Sequence, residues 1–163
     1  MEIEKLQIKM ITTGTSLRTA STPFVYQQKV LPFLSIVQSV KGSYSIKLGN
    51  GSMHNTESGG FFIAPANVLQ TIEHHIDQES KIMNNRWLFI DMVINGKYRP
   101  DFIYDFPTII PKENQAEMNS LFDELFMCKN IFDRYSICYQ IMKLLIAMGS
   151  PKKSSYNKDL ENV

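Results

Sequence analysis

Gly59-Gly60-Phe61-Phe62-Ile63-Ala64-Pro65-Ala66-Asn67-Val68-Leu69-Gln70-Thr71 is the stretch whose reading decides the fold of this chain. Two glycines open a short aromatic and aliphatic run, Pro65 to Asn67 form a corner, and a second apolar run leaves it. Proline presets the φ of a turn residue, and asparagine is among the few residues that enter the left-handed backbone region cheaply. The stretch therefore reads as two strands joined by a tight turn. Gly59, Pro65, Asn67, Gln70 and His74 stand at fixed intervals along it.

The same two-residue period extends outward. Upstream, Ser43-Tyr44-Ser45-Ile46-Lys47-Leu48 alternates strictly, so Tyr44, Ile46 and Leu48 share one face while Lys47 faces water. Gly49-Asn50-Gly51 supplies hairpin chemistry, with a short return strand over Ser52 to His54. Leu34 to Val40 and Phe24 to Tyr26 are β-rich, and Ile3 to Ile11 alternates loosely, whereas Thr12 to Pro23 has the Thr, Ser and Gly content of a surface loop. Downstream, Asp77 to Asn85 reads as a polar loop. Arg86 to Ile94 reads as a strand apolar on both faces, as a strand covered on both sides would be. Lys97 to Pro111 carries Pro100, Pro107 and Pro111 among aromatics and is expected to be irregular.

After Lys112 the period changes to that of a helix. Met118, Leu121, Phe122, Leu125 and Phe126 make one apolar stripe over Lys112 to Lys129. Asn130 followed by Asp133 is a capping signal for a second helix, which Gly149-Ser150-Pro151 ends. That second helix carries two adjacent stripes: Ile131, Tyr135, Cys138, Met142 and Leu145, and beside them Ile137, Ile141, Leu144 and Met148. A face this wide predicts burial on two sides, one of them against a second copy of the chain. The tail from Lys152 to Val163 is polar, as a linker or unstructured end would be.

Composition narrows the function classes. The chain has 163 residues, 44% of them hydrophobic and 20% charged, with a net charge of +1. At that length a single domain buries enough surface to fold without disulfide or metal staples. No basic field of the kind that grips nucleic acid is present, so these residues alone are poor DNA binders. Met1-Glu2-Ile3-Glu4-Lys5 does not resemble a secretory signal, and Leu144 to Met148 is far short of a spanning helix, so a cytoplasmic protein without membrane contact is expected. Cys128 and Cys138 match no zinc or redox spacing and read as reduced thiols.

Taken together, Gly59, Pro65, Asn67, Gln70 and His74 resemble the second signature of the cupin barrels, whose places usually read Gly, Pro, Gly, His, Asn. The departures matter. Gln70 stands where the metal-binding His belongs, and an amide is a poor transition-metal ligand. The first signature is missing as well: Ser35 falls at its Glu place, and Lys29 and Leu31, or Gln28 and Val30, fall at its His places. Only His54, His74 and His75 are available, and the adjacent pair points to opposite faces of a strand. No metal and no cofactor are expected. There is no Gly-x-Ser-x-Gly elbow, and the glycines around Asn50 and at Gly59-Gly60 are turn glycines rather than a phosphate loop, so an enzyme is not expected.

A degenerate cupin signature, the Trp87-Leu88-Phe89-Ile90-Asp91-Met92 strand, a pair of apolar helices and a polar tail, in that order, resemble the N-terminal sensor and dimerisation domain of AraC-type transcriptional regulators over roughly Leu34 to Met148. The resemblance implies a mainly β fold with C-terminal helices: a cupin-like (double-stranded β-helix, or jelly-roll) barrel over residues 1–111, a helical dimerisation segment over 112–149, and a linker over 150–163. It implies a small-molecule effector, a sugar or another small metabolite, inside the barrel. It also implies homodimerisation through the second helix, and DNA binding only by a helix-turn-helix domain outside this chain. The chain is expected to be a piece cut in the linker before that domain. Carried over, the resemblance turns Gln70, Ile72, Trp87, Phe89 and Asp91 toward the barrel interior; Tyr44 joins them because Lys47 must face water. Ile137, Ile141, Leu144, Leu145 and Met148 are the expected dimer contacts. Two other readings are a structural dimerisation module without effector and a small cupin enzyme.

Overall fold

A computed structural model of the chain describes residues 1–19 and 25–153. Strands β1 (Leu6–Thr19), β2 (Val25–Val30), β3 (Leu34–Lys41), β4 (Ser43–Leu48), β5 (Met53–Asn55), β6 (Phe61–Ala64), β7 (Leu69–His75) and β8 (Ile82–Ile94) come first. They are followed by α1 (Pro100–Ile103), β9 (Tyr104–Asp105), α2 (Lys112–Met127), α3 (Ile131–Met148) and β10 (Ser150–Pro151). One four-stranded sheet runs in the order β1-β8-β3-β6 and the other in the order β2-β7-β4-β5, with every pairing antiparallel. That interleaved order is the double Greek key of a jelly roll. The protein is a cupin-like barrel, mainly β, with C-terminal helices.

The corner over Pro65 to Asn67 has the expected chemistry. Asn67 sits at φ 60, and its N–H donates to the Leu31 carbonyl at 2.7 Å. The Ala66 N–H donates to the Asp101 carboxylate at 2.7 Å, and Arg99 closes an ion pair on the same carboxylate at 2.7 Å. Asp101 is buried, so the one-turn α1 acts as a bracket for the corner. Gly42, between β3 and β4, has φ +83, and a Cβ there would lie 2.5 Å from the His75 carbonyl oxygen. Both facts demand glycine.

Three local expectations need correction. Thr12 to Thr19 is not a loop: β1 stays paired with β8 from Ile11 opposite Ile90 to Thr19 opposite Ile82. Threonine is β-branched and suits an edge strand with one wet face, so polarity there signals the sheet edge and not a turn. For the same reason Ile82 to Asn85 belongs to β8 rather than to a polar loop. Lys97 to Pro111 contains α1 and β9, and β10, inside the expected tail, pairs with β9. Residues 20–24 and 154–163 lie outside the described part, including Phe24, the end of the Thr12 to Pro23 stretch and most of the tail.

β8 is covered on both faces. Leu88, Ile90 and Met92 project outward with Leu34 and Ile36 of β3 and pack against Met118, Phe122 and Leu125 of α2 and Ile141 and Leu145 of α3, all of them buried. Asn130 caps α3 by accepting the Asp133 N–H at 2.9 Å. Arg86 fastens α2 to the sheet: Nε donates to Gln38 at 2.6 Å, one terminal nitrogen lies 2.7 Å from Asp123, and the guanidinium sits over the Phe122 and Phe126 rings.

This packing gives the expected dimer contacts a place inside one chain. Ile137, Ile141, Leu144 and Leu145 are buried inside the chain's own core, and Met148 packs half-buried on the same cluster. The wide apolar face of α3 is satisfied by the sheet and α2 together, so a second copy is not needed to explain it. Around the α2–α3 junction the apolar side chains left exposed are others: Met127, Ile131 and Phe132, at 81%, 50% and 82%.

Candidate functional site

Alternation along each strand sends every second side chain into the barrel. Toward one mouth those side chains leave a cavity of about 310 Å³. Its apolar wall comes from Tyr44 of β4, Phe62 of β6, Ile72 of β7 and Trp87 and Phe89 of β8. The Trp87 and Phe89 rings lie near-parallel with centroids 6.1 Å apart, and the Tyr44 ring meets Phe62 and His74 edge-on at 5.2 and 4.9 Å. Trp87 reaches its place only because Gly14 faces it across β1; a Cβ there would lie 2.2 Å from an indole ring carbon.

The polar lining carries two cations, Arg18 and Lys29. Arg18 of β1, Lys29 of β2 and His74 of β7 face the cavity, along with Ser16, Gln27 and Asn85, and among the described residues no carboxylate lines it. Ser16 and Asn85 satisfy each other with a 2.6 Å hydrogen bond. The others are less well served. His74 is 6% exposed, and neither ring nitrogen has a partner; the buried Nε of Arg18 has none either. Burial, then the nearby Arg18, Lys29 and His75, hold the His74 imidazolium at a pKa of about 4, so the ring is neutral at pH 7. Burial lowers the Lys29 ammonium and pushes the Tyr44 phenol well above its ordinary value. The Lys29 ammonium lies 5.8 Å from the centroid of the Phe89 ring.

Of the residues named from sequence, Tyr44, Ile72, Trp87 and Phe89 line this cavity. Gln70 and Asp91 do not. Gln70 is fully buried, with both side-chain amide atoms unpartnered, two residues and so about 6–7 Å along β7 from Ile72. Asp91 borders a separate void of about 10 Å³ with Leu34, Arg99 and Asp101. Arg18 and Lys29 were missed, Arg18 because its stretch resembles a loop and Lys29 because it sits in a polar run. His74 was considered only as a metal ligand. The parity of β7 was the available signal: if Ile72 faces in, so does His74.

The remaining histidines do not converge on it. His75 lies on the opposite face, 2.8 Å from the Ser45 hydroxyl, and His54 is exposed. Among the described residues no group of three His, Cys, Asp or Glu side chains is placed to hold a metal. Cys138 is buried in the helical core, which pushes its thiol up to about 12. A wider, more open groove of about 580 Å³ runs past Pro65 to Val68, Phe102 and Lys152, but no orphaned buried polar atom faces it. No helix among the described residues is long and apolar enough to cross a membrane.

No family model and no curated protein matches the chain. Among solved structures it is similar to a candidate mannose-6-phosphate isomerase from Ralstonia eutropha, with a TM-score of 0.40 and 13% identity over 53% of this chain and 83% of that one. It is also similar to the EutQ protein of Clostridium difficile, with a TM-score of 0.37 and 10% identity over 57% of this chain and 68% of that one. The cupin-like fold is carried by the strand order and register of the chain itself.

Proposed function

We propose that this chain is the ligand-sensing and dimerising domain of an AraC-type transcriptional regulator, with DNA bound by a domain outside it. The observation that carries the reading is the barrel cavity of about 310 Å³, lined both by aromatic rings and by buried polar atoms of Arg18 and His74 that have no partner among the described residues. A barrel serving only as a spacer gains by filling such a space, because each buried polar atom left unpaired costs about 1–3 kcal/mol. Groups of this kind persist where a ligand pairs them. Catalysis is the weaker reading: among the described residues the cavity is lined by no carboxylate or thiol, and neither ring nitrogen of its histidine has a hydrogen-bond partner.

In this reading the dimer forms on the surface the core leaves free, at the α2–α3 junction around Met127, Ile131 and Phe132. The resemblance to regulators adds the order barrel, helix pair, linker. The test uses Trp87, the only tryptophan in the sequence, as its reporter. A metabolite library is screened for compounds that change its emission and raise the melting temperature, since a ligand that binds only the folded state stabilises it. The same compounds are then added to the longer protein bearing the DNA-binding domain. A hit that alters operator affinity supports the proposal. A library with no hit, together with a chain that sediments as a monomer, overturns it.

A further inference from the structure

We propose that the ligand of the barrel cavity is a small organic anion, its carboxylate or phosphate head held by Arg18 and Lys29 and its flat apolar body lying along Trp87 and Phe89. This rests on the cavity being a ligand site and names the class of ligand.

The argument begins with charge. Three cationic side chains elsewhere in the molecule pair with acids: Arg86 with Asp123 at 2.7 Å, Arg99 with Asp101 at 2.7 Å, Lys112 with Glu57 at 3.3 Å. Arg18 and Lys29, both half-buried at the cavity, have no acidic partner among the described residues. Two cations drawn partly out of water without a counter-ion are held at a cost, and an anion entering between them relieves it. A guanidinium fork and an ammonium together match the oxygens of a carboxylate or phosphate. A neutral sugar could stack on the same rings but would leave both cations unpaired.

His74 is the second, independent observation. It is more than nine-tenths buried, lines the cavity, and both ring nitrogens lack partners. A neutral imidazole offers one donor and one acceptor, so it serves a head group with oxygens and any hydroxyl beside them. An anion seated near it also removes part of the reason its protonated form is disfavoured.

Size limits the body. A cavity of 310 Å³ stands at the small end of ligand pockets, which run from about 300 to 1,000 Å³, and this points to a single-ring acid rather than a nucleotide. The near-parallel Trp87 and Phe89 rings favour a planar body over a branched one.

The test titrates the protein with benzoate and phenyl phosphate, and in parallel with the uncharged benzamide and benzyl alcohol, at constant ionic strength. Trp87 emission and melting temperature are the readouts. The expected result is a saturable response to at least one anion, at least tenfold weaker for the neutral pair. It should also weaken at least tenfold in Arg18→Gln and in Lys29→Gln, with the melting temperatures of the unliganded variants equal to or above that of the parent. Neutral probes binding as tightly as anions, or both variants binding anions undiminished, would overturn the anionic class while leaving the cavity a ligand site. No saturable response to any of the four probes overturns it as well, and the sensor reading then stands or falls on the metabolite screen alone.

Discussion

Gly14→Ala tests the shape of the cavity through one atom. The added Cβ would lie 2.2, 2.6 and 3.0 Å from three carbons of the Trp87 indole, whereas non-bonded carbons rest at about 3.5–4.0 Å. The ring must retreat by more than about 1 Å, and because Trp87 lines the cavity, the free space available to it is the cavity itself. Overpacking of this kind costs about 1–3 kcal/mol. For a chain of this size each kcal/mol lowers the melting temperature by about 2–4 °C, so a fall of about 4–8 °C is expected for a mid-range cost. Differential scanning calorimetry reads the stability, and tryptophan emission reads the ring. A second variant separates this cause from a general weakening of β1. In a Trp87→Leu background the same Gly14→Ala change should cost less than about 0.5 kcal/mol, because the clashing atoms are gone and the two sites couple directly. If Gly14→Ala leaves melting temperature and emission unchanged, or costs as much without the indole as with it, Trp87 does not lie across β1 and the aromatic wall is wrongly placed.

Other consequences are open to measurement. Glu at both Leu144 and Met148 should give an unfolded or aggregated protein rather than a folded monomer, and Ile141→Ala should cost about 2–5 kcal/mol in chemical denaturation, because these residues are core within one chain. Arg86→Met should cost about 2 kcal/mol, mainly by leaving the buried Gln38 amide without the guanidinium it accepts from; hydrogen exchange in α2 should rise with it. His74 has a folded-state pKa depressed from 6.5 to about 4, so the folded state binds fewer protons there than the unfolded chain does. Its contribution is therefore fully present above about pH 6.5 and is lost as pH falls toward 4, and His74→Phe should flatten that part of the melting-temperature profile.

Much of the barrel was legible because alternation is a local property. The strict pattern over Ser43 to Leu48 put Tyr44 on the inner face, and the double-sided apolar run from Trp87 to Met92 announced a strand covered on both sides; the fold shows both. Asn67 at φ 60 follows from its own chemistry at the corner. The failures come where polarity has two causes. The threonines of β1 could mark a loop or a wet sheet edge, and only pairing with β8 separates the two. That pairing spans more than sixty residues of sequence, so no local pattern contains it.

The sequence by itself determined the β character of the first two thirds, the corner at Pro65 to Asn67, the helix pair with the Asn130 cap on its second member, and the aromatic character of the barrel interior. These follow from backbone preferences and side-chain periodicity, which act over a few residues. Only the tertiary structure decided how those pieces meet. It set the depth at which each inward residue sits, which admits Trp87 to the cavity and leaves Gln70 and Asp91 outside it. It brought Arg18, Lys29 and His74 from three different strands to one cavity, with no acid among its described lining residues. It also turned most of both stripes of α3, all but Ile131 at its start, onto the chain's own sheet and partner helix. Depth, convergence and the choice between self and partner are relations between distant segments, fixed by strand register and by which surfaces close first on the core.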